Sequence, residues 1–506
     1  MSNHDLRPNG GHFAPKRAIV DIGSNTVRLV IYGGPPRAPV ILINEKVTAK
    51  LGRRIAETGM LSDKGMASAL AALARYAALI QIMGVPDVEV VATAATRDAA
   101  NGAAFLDQVR ALGLDPRQLS GEEEAMTSAM GVMAAFPGAI GVVCDLGGGS
   151  LEMVEIDGDS CERGVSVALG TLLLPQLRKE GPAKFARKVA ETLSTAQWSG
   201  GNGLPLYLVG GACRALSHYA MQDLRWPLDD PHGFELAPET AIELCEALAR
   251  EGSAAPQVSG LSSSRLASLP DAAALLGILV GEMRPSRLVF SSWGLREGLA
   301  YRHLDKAARA QHPLLAGVSA FIRDRGCSAP LGAMVAGWTA SASPAGSHAK
   351  EQLRLVATML ALASLQIEPN LRAEHVADWA LRKRWIGLDA EGRAMLAAAL
   401  QANGGRTNYS EKLGRLANQA SLREAIAWGQ AIRLCRRFTG CSAACLSSSS
   451  LAVEDGQLIL AVREPLAALY NEGTEKDLRL LAETLALQPV FKSLPADAAM
   501  PQDQAA

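Results

Sequence analysis

A short apolar strand, an Asp-aliphatic-Gly turn and a second apolar strand occur twice in this chain, and that recurrence constrains the fold more than any other feature. The first copy is Ile19-Val20-Asp21-Ile22-Gly23-Ser24-Asn25-Thr26-Val27-Arg28-Leu29-Val30. The second is Val143-Cys144-Asp145-Leu146-Gly147-Gly148-Gly149-Ser150-Leu151-Glu152-Met153-Val154. Glycine lets the backbone approach a ligand with no Cβ in the way, and consecutive amides in such a turn form a concave anion site. Asp145 and Glu152 flank the second turn with carboxylates, which makes sense beside a phosphate if a divalent cation sits between them. Two phosphate hairpins of one grammar predict two similar half-domains facing each other across a cleft.

The bulk properties narrow the partners. At 506 residues the chain is expected to hold three or four domains. Aromatic residues make up 5%, so stacking platforms for bases are scarce, and the net charge of −1 provides no global field to recruit nucleic acid. A polyanion has to be gripped by local basic patches instead. The candidates are Lys46, Lys50, Arg53 and Arg54, the Arg382-Lys383-Arg384 run, and Arg433, Arg436 and Arg437, each equally readable as a solvated face. No apolar run is expected to reach transmembrane length, and residues 1–16 form a polar leader without an apolar signal core, which points to the cytoplasm and to no membrane partner. The eight cysteines are scattered, and Cys441 and Cys445 lack a second pair for zinc.

Along the chain, a buried strand at 88–92 ends at Thr93-Ala94-Ala95-Thr96-Arg97. Arg97 therefore stands where a strand's C-terminal end opens a cleft, a place for a phosphate ligand or for a surface salt bridge. Ser120 or Gly121 caps a helix at 125–135, and Glu122, Glu123 and Glu124 suit its dipole. Two of these acids face solvent while one is free to enter the cleft, and for any single one the residues alone favour cap chemistry. The strand 206–209 runs into Gly210-Gly211, a third place where amides face a ligand. A long helix is expected at 271–283. From about residue 310, Ala/Leu/Arg-rich helices run to about 445. Residues 450–463 alternate around Asp455-Gly456, a hairpin turn, and a helix at 475–485 completes a ββα appendix.

These motifs resemble, in order, those of the bacterial exopolyphosphatase/guanosine pentaphosphate phosphatase family: Asp21-Ile-Gly-Ser-Asn-Thr, Thr96-Arg97, Ser120-Gly-Glu-Glu-Glu-Ala, Asp145-Leu-Gly-Gly-Gly-Ser-Leu-Glu and Gly294-Leu-Arg-Glu-Gly. The likeness spans roughly residues 17–305 and continues more loosely, as in the family's long four-domain form. It implies an α/β fold with two actin-like, ribonuclease-H-like (ASKHA) domains flanking a cleft, at 17–135 and 136–309. An α-helical HD-like domain at 310–447 and a small C-terminal ββα domain at 448–495 follow, with a disordered leader at 1–16 and a tail at 496–506. His348 and His375 lack a His-Asp doublet, so the HD-like domain is expected to carry no chemistry of its own. Pro270-Asp271 departs from the family's Pro-Gly-x-Ala pattern, which puts that helix start in question.

The resemblance also assigns roles. Glu124 matches the catalytic base and Glu152 a second catalytic or metal-binding carboxylate, with Asp145 and Asp21 as metal-associated acids. Ser24, Asn25, Arg97, Gly148, Gly149 and Ser150 match phosphate binders, and Arg265 a substrate arginine; Gly23, Thr26, Gly147, Gly210 and Gly211 complete the expected phosphate-facing turns. Mg²⁺, with a monovalent cation such as K⁺, and a homodimer are expected. The expected reaction is processive release of terminal phosphate from inorganic polyphosphate by in-line attack of water. Hydrolysis of guanosine pentaphosphate uses the same motifs. A sugar or acetate kinase would add an adenosine site at Gly210-Gly211, and a nucleotide-driven filament or chaperone module would bind rather than turn over.

Overall fold

The computed structural model describes residues 14, 16–251, 258, 260–342, 346–464, 466–498 and 500. The rest of the expected leader and tail lies outside the described residues. The chain forms two compact units, residues 1–226 with 230–313, and residues 227–229 with 314–506.

The first unit holds two sheets. One contains β1 (Arg17–Ile22), β2 (Val27–Gly33), β3 (Val40–Val47), β4 (Asp87–Ala92) and β5 (Pro116–Gln118), in the order β3-β2-β1-β4-β5. The other contains β6 (Ile140–Leu146), β7 (Leu151–Asp157), β8 (Ser160–Val167), β9 (Leu206–Val209), β10 (Glu235–Leu236) and β11 (Leu288–Phe290), in the order β10-β11-β9-β6-β7-β8. Read from β8, the second sheet repeats the first, with β10 added at the far edge. In both, an antiparallel meander is followed by a parallel strand beside its first member. The recurrence of the turn thus extends to whole sheets and down to single bonds. Gly23 N–H donates to the Thr26 carbonyl and Gly147 N–H to the Ser150 carbonyl, each at 3.0 Å.

Each sheet buries one face under helices. Asp63–Ile82, capped by Ser62, lays Ala69, Leu73 and Tyr76 on Val20, Leu29 and Ile31. Ser263–Met283 lays Leu269, Leu276 and Leu279 in the core around Cys144, Leu146 and Met153. Each fully buried Leu contributes about 1.5–3 kcal/mol. Contrary to the reading of the sequence, Asp63–Ile82 and residues 265–283 are long and apolar enough to cross a membrane by length and composition. In the fold both serve as core helices, which explains their apolar character. The second helix also starts earlier than expected, with Pro270 inside it. Proline removes one intrahelical hydrogen bond, but Leu269, Ala272 and Ala273 are buried on either side of it. Asp271 pairs with Arg178, so the departure from the family pattern is built into the packing.

Two helices cross between the halves. Gly121–Ala135 packs Ala125, Ala129 and Val132 on Val143, Val154 and Tyr207 of the second sheet. Leu295–Arg302 packs Leu299 on Ile19, Val30 and Val91 of the first. They touch backbone to backbone, since a Cβ on Gly298 would lie 1.7 Å from the Thr127 carbonyl oxygen. A boundary at 135/136 therefore divides the sequence but not the packing.

In the second unit, helices including Ala329–Trp338 and Gln419–Thr439 share a core with a three-stranded sheet. Trp338, Leu434 and Phe438 meet Leu451, Leu458, Leu460 and Leu478. The sheet comprises β12 (Ser449–Glu454), β13 (Gln457–Arg463) and β14 (Gln488–Leu494), with β14 parallel to β13. The expected ββα appendix is thus ββαβ and is not a separate core. The sequence hid β14 because it is a half-exposed edge strand containing Pro489, a residue that argues against a strand. Two of the expected basic patches are engaged within this unit. Arg433 and Arg437 hold buried Asp477 at 3.1 and 2.7 Å, and Lys383 Nζ lies 4.7 Å from the Trp385 ring centroid.

Candidate active site

A cleft of about 220 Å³ lies between the two glycine turns. Asp21, Gly23, Ser24, Asn25 and Thr26 line it from the first turn, and Asp145, Gly147, Gly148, Gly149 and Ser150 from the second. Glu124, Gly210, Gly211 and Arg265 complete the predicted residues in the lining. The turns close on each other because glycine lets them. A Cβ on Gly149 would stand 2.8 Å from Ser24 Oγ, and one on Gly148 3.3 Å from the Asn25 nitrogen. Gly210 has φ +105°, and its Cβ would lie 2.4 Å from the Leu146 carbonyl oxygen.

Two predicted residues stand outside this lining. Arg97 donates to the Leu119 carbonyl at 3.0 Å, and its Nη1 lies 3.6 Å from Glu124 Oε2. Glu152 is 3% exposed, sits opposite Asp145 across the β6–β7 hairpin and accepts from Ser166 Oγ at 2.8 Å. Lys50, Arg53 and Arg54 are exposed and absent from the lining, whereas Lys46 belongs to it.

The three adjacent glutamates separate by role. Ser120 Oγ accepts from Glu123 N–H at 3.1 Å, and Glu123 Oε2 accepts from Ser120 N–H at 2.8 Å, a reciprocal capping box. Arg117 holds the other Glu123 oxygen at 2.8 Å, and Glu122 is exposed. Cap chemistry is thereby satisfied, and Glu124 turns into the cleft. Ser120→Ala is expected to destabilise the protein by about 1 kcal/mol, read as a lowered urea midpoint, with a further loss of rate because the first turn aims Glu124.

The hairpins differ at one charged position, by two units of charge. Asp21 faces Arg28 across β1–β2, whereas Asp145 faces Glu152 at the equivalent register of β6–β7. One hairpin is neutral and the other doubly acidic. Burial pushes Glu124 well above the ordinary carboxylate range, and the Glu152 and Asp145 charges push it further. Glu152 is raised by burial and then by Asp145. Asp145, which accepts from Ser128 Oγ, is raised chiefly by burial. Glu124 Oε2 is buried with no hydrogen-bond partner.

Cations cluster in the same cleft. Arg28, Lys46, Arg214, Arg265 and Arg296 all line it. Burial, then Arg296, lowers both Arg28 and Arg214 to about 10. Sequence reasoning passed over Arg28, Arg214 and Arg296. The available signal was positional, because Arg28 occupies the place in the first hairpin that Glu152 occupies in the second, and Arg296 lies inside the Gly294-Leu-Arg-Glu-Gly signature. The cleft lining contains no aromatic ring among the described residues.

No group of three or more His, Cys, Asp or Glu side chains forms a ready metal cage among the described residues. Asp145 and Glu152, facing each other and both raised by burial, fit a cation that takes one or two carboxylates from the protein and the rest from phosphate and water, as Mg²⁺ does.

The model of the Ppx/GppA phosphatase family matches residues 30–307. The chain is 28% identical over 159 residues to Exopolyphosphatase 1 of Mycobacterium tuberculosis, covering 30% of this chain and 45% of that protein. It is 24% identical over 299 residues to the guanosine-5'-triphosphate,3'-diphosphate pyrophosphatase of Vibrio atlanticus, covering 58% of this chain and 60% of that protein. The chain thus spans about half the length of the curated relatives it matches. A solved exopolyphosphatase of Cytophaga hutchinsonii shares the fold, with a TM-score of 0.51 at 22% identity over 56% of this chain and 96% of that one.

Proposed function

The chain belongs to the Ppx/GppA phosphatase family, and on that premise we propose that it hydrolyses the terminal phosphoanhydride bond of inorganic polyphosphate. The observation that carries this reading is Glu124, a largely buried carboxylate whose Oε2 makes no hydrogen bond among the described residues and has the Arg97 guanidinium near it at 3.6 Å, set beside two glycine turns whose amides suit a phosphoryl group. Water attacks the terminal phosphorus in line while the bond to the bridging oxygen breaks, and the shortened chain departs on that oxygen. Glu124 orients the water and takes its proton. Amides of the Ser24–Thr26 and Gly148–Ser150 stretches hold the equatorial oxygens, the Gly23 and Gly147 N–H groups being used to close the turns. Arg97 steadies Glu124 from behind at 3.6 Å.

Asp145 and Glu152 are the residues that would hold Mg²⁺. Bound there, the ion would offset the charge that phosphoryl transfer concentrates on the oxygens.

The same site suits guanosine pentaphosphate, whose hydrolysis is the second reading. Polyphosphate is preferred because five cations line the cleft and, among the described residues, no ring in the lining is available to stack a base. Phosphate release from long-chain polyphosphate and from guanosine pentaphosphate, measured under one condition with and without Mg²⁺, tests both. Faster turnover of the nucleotide would reverse the preference, and turnover of neither would end the hydrolytic reading.

A further inference from the structure

Arg296 is a largely buried guanidinium, its side chain 15% exposed, brought to the first half by a connection from the second. It lies in the first turn of the Leu295–Arg302 helix, which follows β11. Its Nη1 stands 3.4 Å from Asp21 Oδ2, and its Nε is buried with no hydrogen-bond partner. Neighbouring Glu297 is occupied elsewhere. Its Oε1 accepts from Tyr32 OH at 2.9 Å and its Oε2 from the Gly294 N–H at 3.1 Å. Asp21 in turn faces Arg28 across the hairpin, so this acid stands between two guanidiniums. That setting suits an anchor for arginine better than the metal-associated role expected of it. An orphaned, buried, charged donor is costly unless something accepts from it. Arg296 lines the same cleft as the glycine turns, where a phosphoryl oxygen is the natural acceptor.

We propose that Arg296 is a substrate ligand that donates to a phosphoryl oxygen, with Asp21 as the positioning residue that aims it. This rests on the polyphosphate reading for the identity of the ligand. Because Arg296 arrives from the second sheet and Asp21 from the first, the bound anion ties both halves through one side chain. The planar fork of arginine serves two acceptors at once, which a lysine ammonium does not reproduce.

The test is calorimetric binding of inorganic pyrophosphate, together with KM and kcat on long-chain polyphosphate, for wild type, Arg296→Met, Arg296→Lys, Asp21→Asn and Glu124→Gln. Loss of a charge-assisted hydrogen bond is expected to weaken pyrophosphate binding and raise KM by about 10- to 100-fold in Arg296→Met. Arg296→Lys should recover part of that loss, Asp21→Asn should show a smaller loss, and Glu124→Gln should lose about 10²- to 10⁴-fold in kcat while retaining measurable pyrophosphate binding. A folded Arg296→Met protein with unchanged pyrophosphate binding and KM would overturn the assignment. If Arg296→Met does not fold, Arg296→Lys at wild-type affinity and KM does the same. A wild-type protein that binds pyrophosphate, loses that binding in Arg296→Met, and releases no phosphate from any polyphosphate would end the hydrolytic reading and leave the ligand role standing.

Discussion

Glu124→Gln is expected to lower phosphate release from long-chain polyphosphate by about 10²- to 10⁴-fold, the usual contribution of a positioned base. It is also expected to make the protein more stable at alkaline pH. Burial and the charges of Glu152 and Asp145 raise the Glu124 carboxyl above its ordinary value of 4.5 in the fold. The folded chain therefore holds this proton more tightly than the unfolded chain does. Ionising Glu124 opposes folding increasingly as the pH rises above 4.5, and stability is lost in that direction. Glutamine keeps the shape without the charge. The variant's melting temperature should thus exceed that of wild type by a few degrees, roughly, at pH 8 and match it near pH 4. Lower activity with a flat or reversed stability difference would show that Glu124 is not the buried, proton-holding group described above.

Glu152→Gln should have the second largest effect, through two routes with different signatures. The first is the cation. With one of two facing carboxylates neutralised, Mg²⁺ affinity should fall by about 10- to 100-fold, seen as a raised metal requirement. The second acts on the base. Glu152 is the largest charge holding Glu124 up, so removing it lets Glu124 ionise at lower pH. The rising limb of the pH–rate profile, taken at saturating Mg²⁺, should therefore move toward acid. A profile displaced toward alkali would mean that Glu152 and Glu124 do not interact as described.

These expectations depend on a site that was only partly legible in the chain. The paired turns were, because Asp, Gly and a small hydroxyl residue at fixed spacing have few alternatives to a tight, ligand-facing turn. Fourteen predicted residues line one cleft in consequence, from Asp21 to Arg265. The choice among Glu122, Glu123 and Glu124 was not legible from physical chemistry alone. All three suit a helix N-terminus, and only the hydrogen bonds from Ser120 and Arg117 to Glu123 remove that one from contention. Arg28, Arg214 and Arg296 were hidden for a related reason. An arginine in a strand or in a helix's first turn reads as a solvated charge until its neighbours are known. Arg97, expected as a phosphate ligand or a salt-bridge partner, has its guanidinium at 3.6 Å from Glu124 and on the Leu119 carbonyl, contacts that spacing in the chain does not encode.

The amino-acid sequence by itself determined the local objects: two glycine turns with their hydrogen bonds, the apolar strands that carry them, and the acid at position 7 beyond Asp145 where the first hairpin has Arg28. Each depends on residues near one another in the chain, so spacing and side-chain chemistry suffice. Tertiary structure alone decided which charges meet. It crossed the Gly121–Ala135 and Leu295–Arg302 helices between the two sheets. That crossing delivered Glu124 and Arg296 to one cleft from helices far apart in the chain. Burial then raised Glu124 and left donors and acceptors unpartnered. Desolvation depends on everything that surrounds a group, and no local pattern in the chain encodes it.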